Sequence, residues 1–195
     1  MKPKQNKAGD KNKSNTYDRC QTPYYALDPL LPYLNSSWKV WEPAAGDGNI
    51  IKKLEHHGFQ VIGTDILSGS NFFDMKPVEC DCQVTNPPYS IKYDWLRHSY
   101  SIGIPFALLL PLETLGTKSG QQLFEKYGVE IILLDKRVNF KMPNIGYSGS
   151  GAQFPTAWFT WKLGIGKQLT FAKVSRYDDG QLMIGGGHAG IASML

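Results

Sequence analysis

The chain has 195 residues, of which 42% are hydrophobic and 12% aromatic. That suits one packed domain with some excess and excludes a disordered or fibrous protein. The formal charge of +4 is local: through Arg19, six basic side chains face only Asp10 and Asp18, and the remaining 15 basic and 15 acidic residues cancel.

Residues 1–20 therefore read as a basic, flexible N-terminal tail. Such an arm either touches nucleic acid phosphates or simply keeps a protein soluble. Next, QTPYYALDPLLPYL places Leu27, Leu30, Leu31 and Leu34 at helical spacing and predicts a short apolar helix. WKVWEP reads as a buried strand ending at Glu42, AAGDG as a turn, and NIIKKLEHHG as a helix from Asn49 to Gly58. FQVIGTDI predicts a strand ending in Asp65, and ILSGSNFFDM a loop or short helix. CDCQVTN predicts a third strand, with Cys80 and Cys82 on one face as core or incidental thiols. IKYDWLRHSY is a helix, PFALLLPLE a continuous apolar strand, SGQQLFEKYG a helix, and VEIILLDKRVNF a strand that can run on into a second. The Gly- and Ser-rich loop MPNIGYSGSGAQFP leads to a last clear strand, TAWFTWKL. QLTFAKVSRY can form one more strand, and IGGGHAG looks flexible.

Strands that are continuous apolar runs, alternating with helices, imply an α/β doubly wound sheet with helices on both faces. Three cysteines form neither a disulfide framework nor a zinc site, and His56, His57 and His98 read as surface residues, so no metal is expected. No apolar run nears the ~20 residues of a membrane span and no secretory signal opens the chain. A soluble, cytoplasmic protein is expected.

In such sheets ligands bind beyond the carboxyl ends of the strands. Four features fall there. Glu42-Pro43-Ala44-Ala45-Gly46-Asp47-Gly48 follows the first strand, and its glycines either let backbone approach a ligand or only make a tight turn. Asp65 comes nineteen residues after Gly46, where an acid suits ribose hydroxyls or caps a helix. Asp74 can accept from an exocyclic amine or be a solvated turn residue. Thr85-Asn86-Pro87-Pro88-Tyr89-Ser90 follows the third strand. Its prolines forbid a helix and stiffen the chain, leaving carbonyls unspent between an amide and an aromatic ring.

Taken together these features resemble the S-adenosylmethionine-dependent amino-methyltransferases, most closely the small phage-type DNA adenine-N6 methyltransferases with an NPPY motif. The resemblance runs from about Gln21 to Trp161. It implies a Rossmann-like methyltransferase domain over 21–163, with a partly flexible C-terminal extension over 164–195. It also implies S-adenosylmethionine as cofactor. Gly46 and Gly48, in the stretch Glu42, Pro43, Ala44, would meet its methionine end, with Thr22 and Tyr24 fixing that end. Asp65, followed by Ile66, would take the ribose hydroxyls, Asp74 the adenine amine, and Phe73 would line the ring. The sulfonium methyl would point at Asn86.

The chemistry of the motif agrees with that resemblance. The exocyclic amine of adenine is a poor nucleophile because its lone pair is delocalised into the ring. Two fixed acceptors, the Asn86 side-chain carbonyl and the Pro87 carbonyl, favour the pyramidal nitrogen of the transition state. Pro88 completes the rigid turn, and Tyr89 offers a π face to a base swung out of its stack. Arg137-Val138-Asn139-Phe140 resembles the family strand whose aromatic residue packs on that base, although Phe140 can equally be a core residue. DNA is the expected partner, with little chain left for reading a long site. The rivals are RNA adenine methylation, glutamine side-chain methylation with the same motif, and a catalytically silent nucleic-acid-binding subunit. Asn at the first motif position argues against cytosine-N4 chemistry.

Overall fold

The computed structural model describes residues 20–75, 78–142, 146–147 and 154–176. The tail before Cys20, most of the 143–153 loop and the IGGGHAG stretch lie outside the described residues.

Nine strands and three α-helices follow in chain order among these residues: β1 Lys39–Glu42, α1 Asn49–His56, β2 Gln60–Gly63, β3 Cys82–Thr85, α2 Lys92–Ile102, β4 Phe106–Pro111, α3 Lys118–Tyr127, β5 Glu130–Leu134, β6 Lys141–Met142, β7 Gly146–Tyr147, β8 Thr156–Trp161 and β9 Leu169–Ala172. Seven strands form one sheet in the order β2-β1-β3-β4-β8-β5-β9, while β6 and β7 pair separately. β1 is parallel to β2 and β3, and β3 to β4. β8 is antiparallel to both β4 and β5, wedged between them. β4 is buried at every residue and β8 at all but Trp161, as expected for apolar runs covered on both faces.

Two hydrophobic layers flank the sheet. One holds Ile50 and Leu54 of α1 with Leu27, Leu30, Val40 and Trp158. The other holds Trp95, Leu96 and Tyr100 of α2 and Leu123 of α3 with Trp41, Phe106 and Phe159. This is the α/β, Rossmann-like architecture with helices on both faces. From β1 the chain moves outward to β2, then returns past β1 to β3. The strand order thus reverses at the β1/β3 boundary, and a crevice forms at the carboxyl ends of such strands.

Several local expectations change. The predicted apolar helix after Gln21 is two single 3-10 turns, Tyr24–Ala26 and Leu31–Tyr33, because Pro23, Pro29 and Pro32 cannot donate within a helix. Tertiary bonds hold this segment instead: Trp158 Nε1 donates to the Ala26 carbonyl at 2.8 Å, the Asn139 N–H donates to Tyr25 Oη at 2.7 Å, and the buried Lys53 ammonium pairs with Asp28 at 2.7 Å. β2 ends at Gly63, two residues before Asp65. Cys80 and Cys82 do not share a face: β3 begins only at Cys82, which lies in the α1-side layer, whereas Cys80 packs against the other layer. His98, expected at the surface, is half-buried. Its ring packs edge-on against Phe72 at 4.6 Å, with Nε2 buried. β5 stops at Leu134, and the next strand is the short β6.

Gly120 shows how tightly α3 is seated. A Cβ there would lie 2.0 Å from the Thr114 carbonyl oxygen, a backbone atom that cannot swing aside. Thr117 already uses its Oγ1 to accept from the Gly120 N–H, the Tyr93 hydroxyl donating to the same oxygen at 2.8 Å. Gly120→Ala is expected to cost about 1–3 kcal/mol through overpacking, visible as a lower urea midpoint at unchanged slope.

Candidate active site

Three loops meet at the β1/β3 boundary. The first follows β1. Glu42 is 1% exposed, and its Oε1 accepts from the Thr85 hydroxyl at 2.5 Å and from the Ala44 N–H at 3.0 Å. One carboxyl oxygen therefore ties the last residue of β3 to the loop leaving β1. Oε2 is buried with no partner among the described residues. Burial pushes the Glu42 pKa up to about 8, against partial relief from the Thr85 and Ala44 hydrogen bonds, and Asp65 adds to the rise. The group is mostly neutral at pH 7.

Beyond Glu42 the chain turns through Gly46 at φ +51° and Gly48 at φ +81°, a left-handed region that favours glycine. The Gly46 N–H donates to Asp65 Oδ2 at 2.9 Å, and the Leu67 N–H to Asp65 Oδ1 at 2.8 Å. Asp65 is thus the cap of the 3-10 turn Ile66–Ser68 and the clasp of the Gly46 loop at once. Each carboxylate oxygen keeps a further lone pair for a hydroxyl. Ile66 and Leu67 follow at 67% and 75% exposure. Apolar side chains standing in solvent beside an acid at a strand end offer a flat ligand a surface to cover.

The third loop carries the proline motif. Asn86 Oδ1 is buried and accepts no hydrogen bond among the described residues. Pro87 is buried and Pro88 half-buried, so the turn is held by packing as well as by its rings. The Tyr89 ring stands edge-on to Phe140 at 6.3 Å and to Phe154 at 5.8 Å. Burial holds the Tyr89 phenol well above its ordinary pKa, and the hydroxyl has no partner among the described residues. Phe140 is at the same time a member of the α1-side core layer.

Thr22 and Tyr24 are both buried. The Asn49 side-chain amide donates to the Thr22 carbonyl at 3.0 Å, so the first residue of α1 fixes this segment. Pro43 is buried and Ala44 half-buried. The structure therefore brings Thr22, Glu42, Gly46, Asp65 and Asn86 into connected surroundings. Phe73 and Asp74 are engaged differently. Phe73 meets Trp95 and His98 of α2 at 5.6 and 5.5 Å, and Asp74 accepts from the Asn71 amide at 2.5 Å. Phe73 also lines a shallow groove of about 570 Å³ with Ile91 and Arg97 on the outer side of α2.

Residues that local sequence reasoning passed over also matter. Thr85 carries the link to Glu42, and Gln21 reaches the Gly46 loop through Oε1, which accepts from the Asp47 N–H at 3.1 Å. Phe154 joins the Tyr89 cluster while 37% exposed. An aromatic residue just before Pro155, after the small and polar run from Ser148 to Gln153, is the sequence signal for it. Among the described residues no group of three His, Cys, Asp or Glu side chains is placed to hold a metal, and no helix is long and apolar enough to cross a membrane.

A seven-stranded sheet with one reversed strand and helices on both faces is a Rossmann-like α/β fold. Two solved structures share it. The methyltransferase subunit of a type I restriction-modification system from Streptococcus thermophilus matches with a TM-score of 0.52 at 15% identity, over 76% of this chain and 46% of that one. The type IIG restriction endonuclease BpuSI matches with a TM-score of 0.51 at 15% identity, over 72% of this chain and 25% of that one. The chain thus spans less than half the length of either protein. No family model and no curated protein matches the sequence.

Proposed function

We propose that the protein transfers a methyl group from S-adenosylmethionine to the N6 amine of an adenine in DNA, held in a pocket formed by Asn86, Pro87, Pro88 and Tyr89. The observation that carries this reading is the buried Asn86 Oδ1 at the end of β3, an acceptor without a partner among the described residues. A buried acceptor left unpaired costs about 1–3 kcal/mol, a cost that makes sense where a ligand hydrogen will fill it.

The residues present fit the cofactor. Asp65 keeps lone pairs for two hydroxyls, Ile66 offers an apolar face, and the glycine loop admits backbone contact at the methionine end. When bound, S-adenosylmethionine supplies an electrophilic methyl carbon on a sulfonium. The chain supplies position and acceptors. Asn86 Oδ1 and the Pro87 carbonyl each take one amine hydrogen and draw the nitrogen lone pair out of the ring. Tyr89, Phe140 and Phe154 supply aromatic walls for the base. The fold shared with two restriction-system proteins supports DNA as substrate, and the basic residues through Arg19 suit phosphate contact.

The test is label transfer from tritiated S-adenosylmethionine to unmethylated genomic DNA, with total RNA and protein extract in parallel. Label recovered as N6-methyladenine from DNA supports the proposal. Label confined to RNA or to protein glutamine overturns the substrate, and absence of label from all three overturns the activity.

The aromatic walls make a graded expectation. Stacking on a protein ring is worth about 1–3 kcal/mol per base. Tyr89→Ala is therefore expected to raise KM for DNA roughly tenfold or more, whereas Tyr89→Phe and Tyr89→Trp stay near wild type. The Phe variant removes only a hydroxyl that has no partner among the described residues. Phe154→Ala should raise KM for DNA while leaving cofactor affinity alone. Steady-state kinetics with separate variation of DNA and cofactor decide this, and equal KM values across the series would remove the stacking role.

A further inference from the structure

Gln21 is the one described residue that bonds to the cofactor loop through its side chain and to the substrate wall through its backbone. Its Oε1 accepts from the Asp47 N–H at 3.1 Å, and its amide covers Gly46 so closely that a Cβ on Gly46 would lie 2.4 Å from Gln21 Nε2. On the other side, the Gln21 N–H donates to the Lys141 carbonyl at 2.9 Å and the Lys141 N–H donates back at 3.0 Å, an isolated antiparallel bridge. Lys141 directly follows Phe140, whose ring meets Tyr89. Both neighbours of Gln21 are anchored too: Cys20 packs against the α1-side core layer, and the Thr22 carbonyl accepts from Asn49.

Resting on the function proposed above, we infer that Gln21 is a positioning residue that couples the two halves of the site, so that cofactor seated on the Gly46–Gly48 loop sets the Phe140 wall against the target base. The physical basis is reach and rigidity. Gln21 holds the Asp47 N–H and lies over the open face of Gly46, the side from which a ligand would approach this loop, so a ligand there and the Gln21 amide settle into one arrangement together. The backbone bridge is short and doubly bonded, so a shift of Gln21 moves Lys141 with it. Two sites that bias the same element are linked reciprocally, each ligand raising affinity for the other by one factor.

The measurement is that factor. The Kd of S-adenosylhomocysteine is determined by calorimetry with and without a saturating duplex, for wild type, Gln21→Ala and Gln21→Met. Methionine keeps the length of the side chain over Gly46 but cannot accept from the Asp47 N–H, which guards against a simple packing defect. In the wild type, duplex is expected to tighten S-adenosylhomocysteine at least about fivefold, within the usual range of coupling. In both variants the ratio is expected to fall below about twofold, with thermal midpoints close to wild type. A purely structural role would lower the midpoint and leave the ratio unchanged, and that result overturns the inference. A wild type that methylates DNA but shows no coupling also overturns it, with the proposed activity intact. A wild type that binds no S-adenosylhomocysteine takes the proposed function down and this inference with it.

Discussion

Asn86→Ala is expected to slow methyl transfer by about 10²–10³-fold, as for other lost transition-state hydrogen bonds, while cofactor affinity changes only a few-fold. The reason is the state of the side-chain oxygen. Asn86 Oδ1 is buried and accepts nothing among the described residues, so its removal breaks no bond within the fold and leaves no donor orphaned. Stability should therefore hold or rise. On the proposed mechanism the loss falls on the reacting amine alone, where one of two acceptors disappears and the Pro87 carbonyl remains. Single-turnover rates with saturating cofactor and DNA read the chemical step, and calorimetry reads cofactor binding. Near-full turnover in Asn86→Ala would refute the assignment. A matched loss of cofactor affinity would make Asn86 a binding residue instead.

Glu42→Gln is expected to stabilise the protein at and above neutral pH. The Glu42 carboxyl is 1% exposed and its pKa lies at about 8 in the fold, chiefly through desolvation. In the unfolded chain it is an ordinary carboxyl at 4.5. Between these values the folded protein binds a proton that the unfolded chain has released, so stability falls as pH rises. The penalty is absent below the unfolded pKa, grows across the window from 4.5 to about 8, and is constant beyond it, amounting to a few kcal/mol on the order of the shift. Glutamine removes the titration. It can still accept from the Thr85 hydroxyl and the Ala44 N–H, and its amide places a donor where the neutral carboxyl would place its own. Denaturant midpoints for the two proteins should coincide near pH 4.5 and separate steadily toward pH 8. Parallel curves over that range would show that Glu42 is not the desolvated group described here. Since the same carboxyl links the Ala44 loop to Thr85, Glu42→Ala should do more harm than Glu42→Gln, freeing both donors at once.

Much of this was legible in the residues. FALLLP is apolar throughout and TAWFTW at four of its six positions, and short runs of this kind read as strands covered on both faces, as β4 and β8 are. Asn49 opens α1 and Gly58 lies just past its end, as the pattern places them. Glu42 and Asn86 fall at or just past strand ends because each buried run stops there, and the left-handed turn at Gly46 and Gly48 could be anticipated from their lack of a Cβ. These are local matters, governed by periodicity, proline stereochemistry and backbone sterics over a few residues.

What needed the folded chain was long-range. Nothing local says that β8 enters the sheet between β4 and β5, or that β9, beyond the expected end of the domain, pairs with β5. Nothing local separates Cys80 from Cys82 onto opposite layers, seats His98 on Phe72, or brings Phe154 to Tyr89. The prolines of the 20s segment exclude an α-helix, but its place was decided by Trp158, Asn139 and Asp28–Lys53, partners distant in sequence. The raised pKa of Glu42 and an Asn86 Oδ1 without a partner among the described residues arise only when other strands shut out water around them. Residue types and spacing determine which chemical groups are available at strand ends. Desolvation and pairing between remote segments determine which of those groups are charged, which are already engaged, and which stand ready for a ligand.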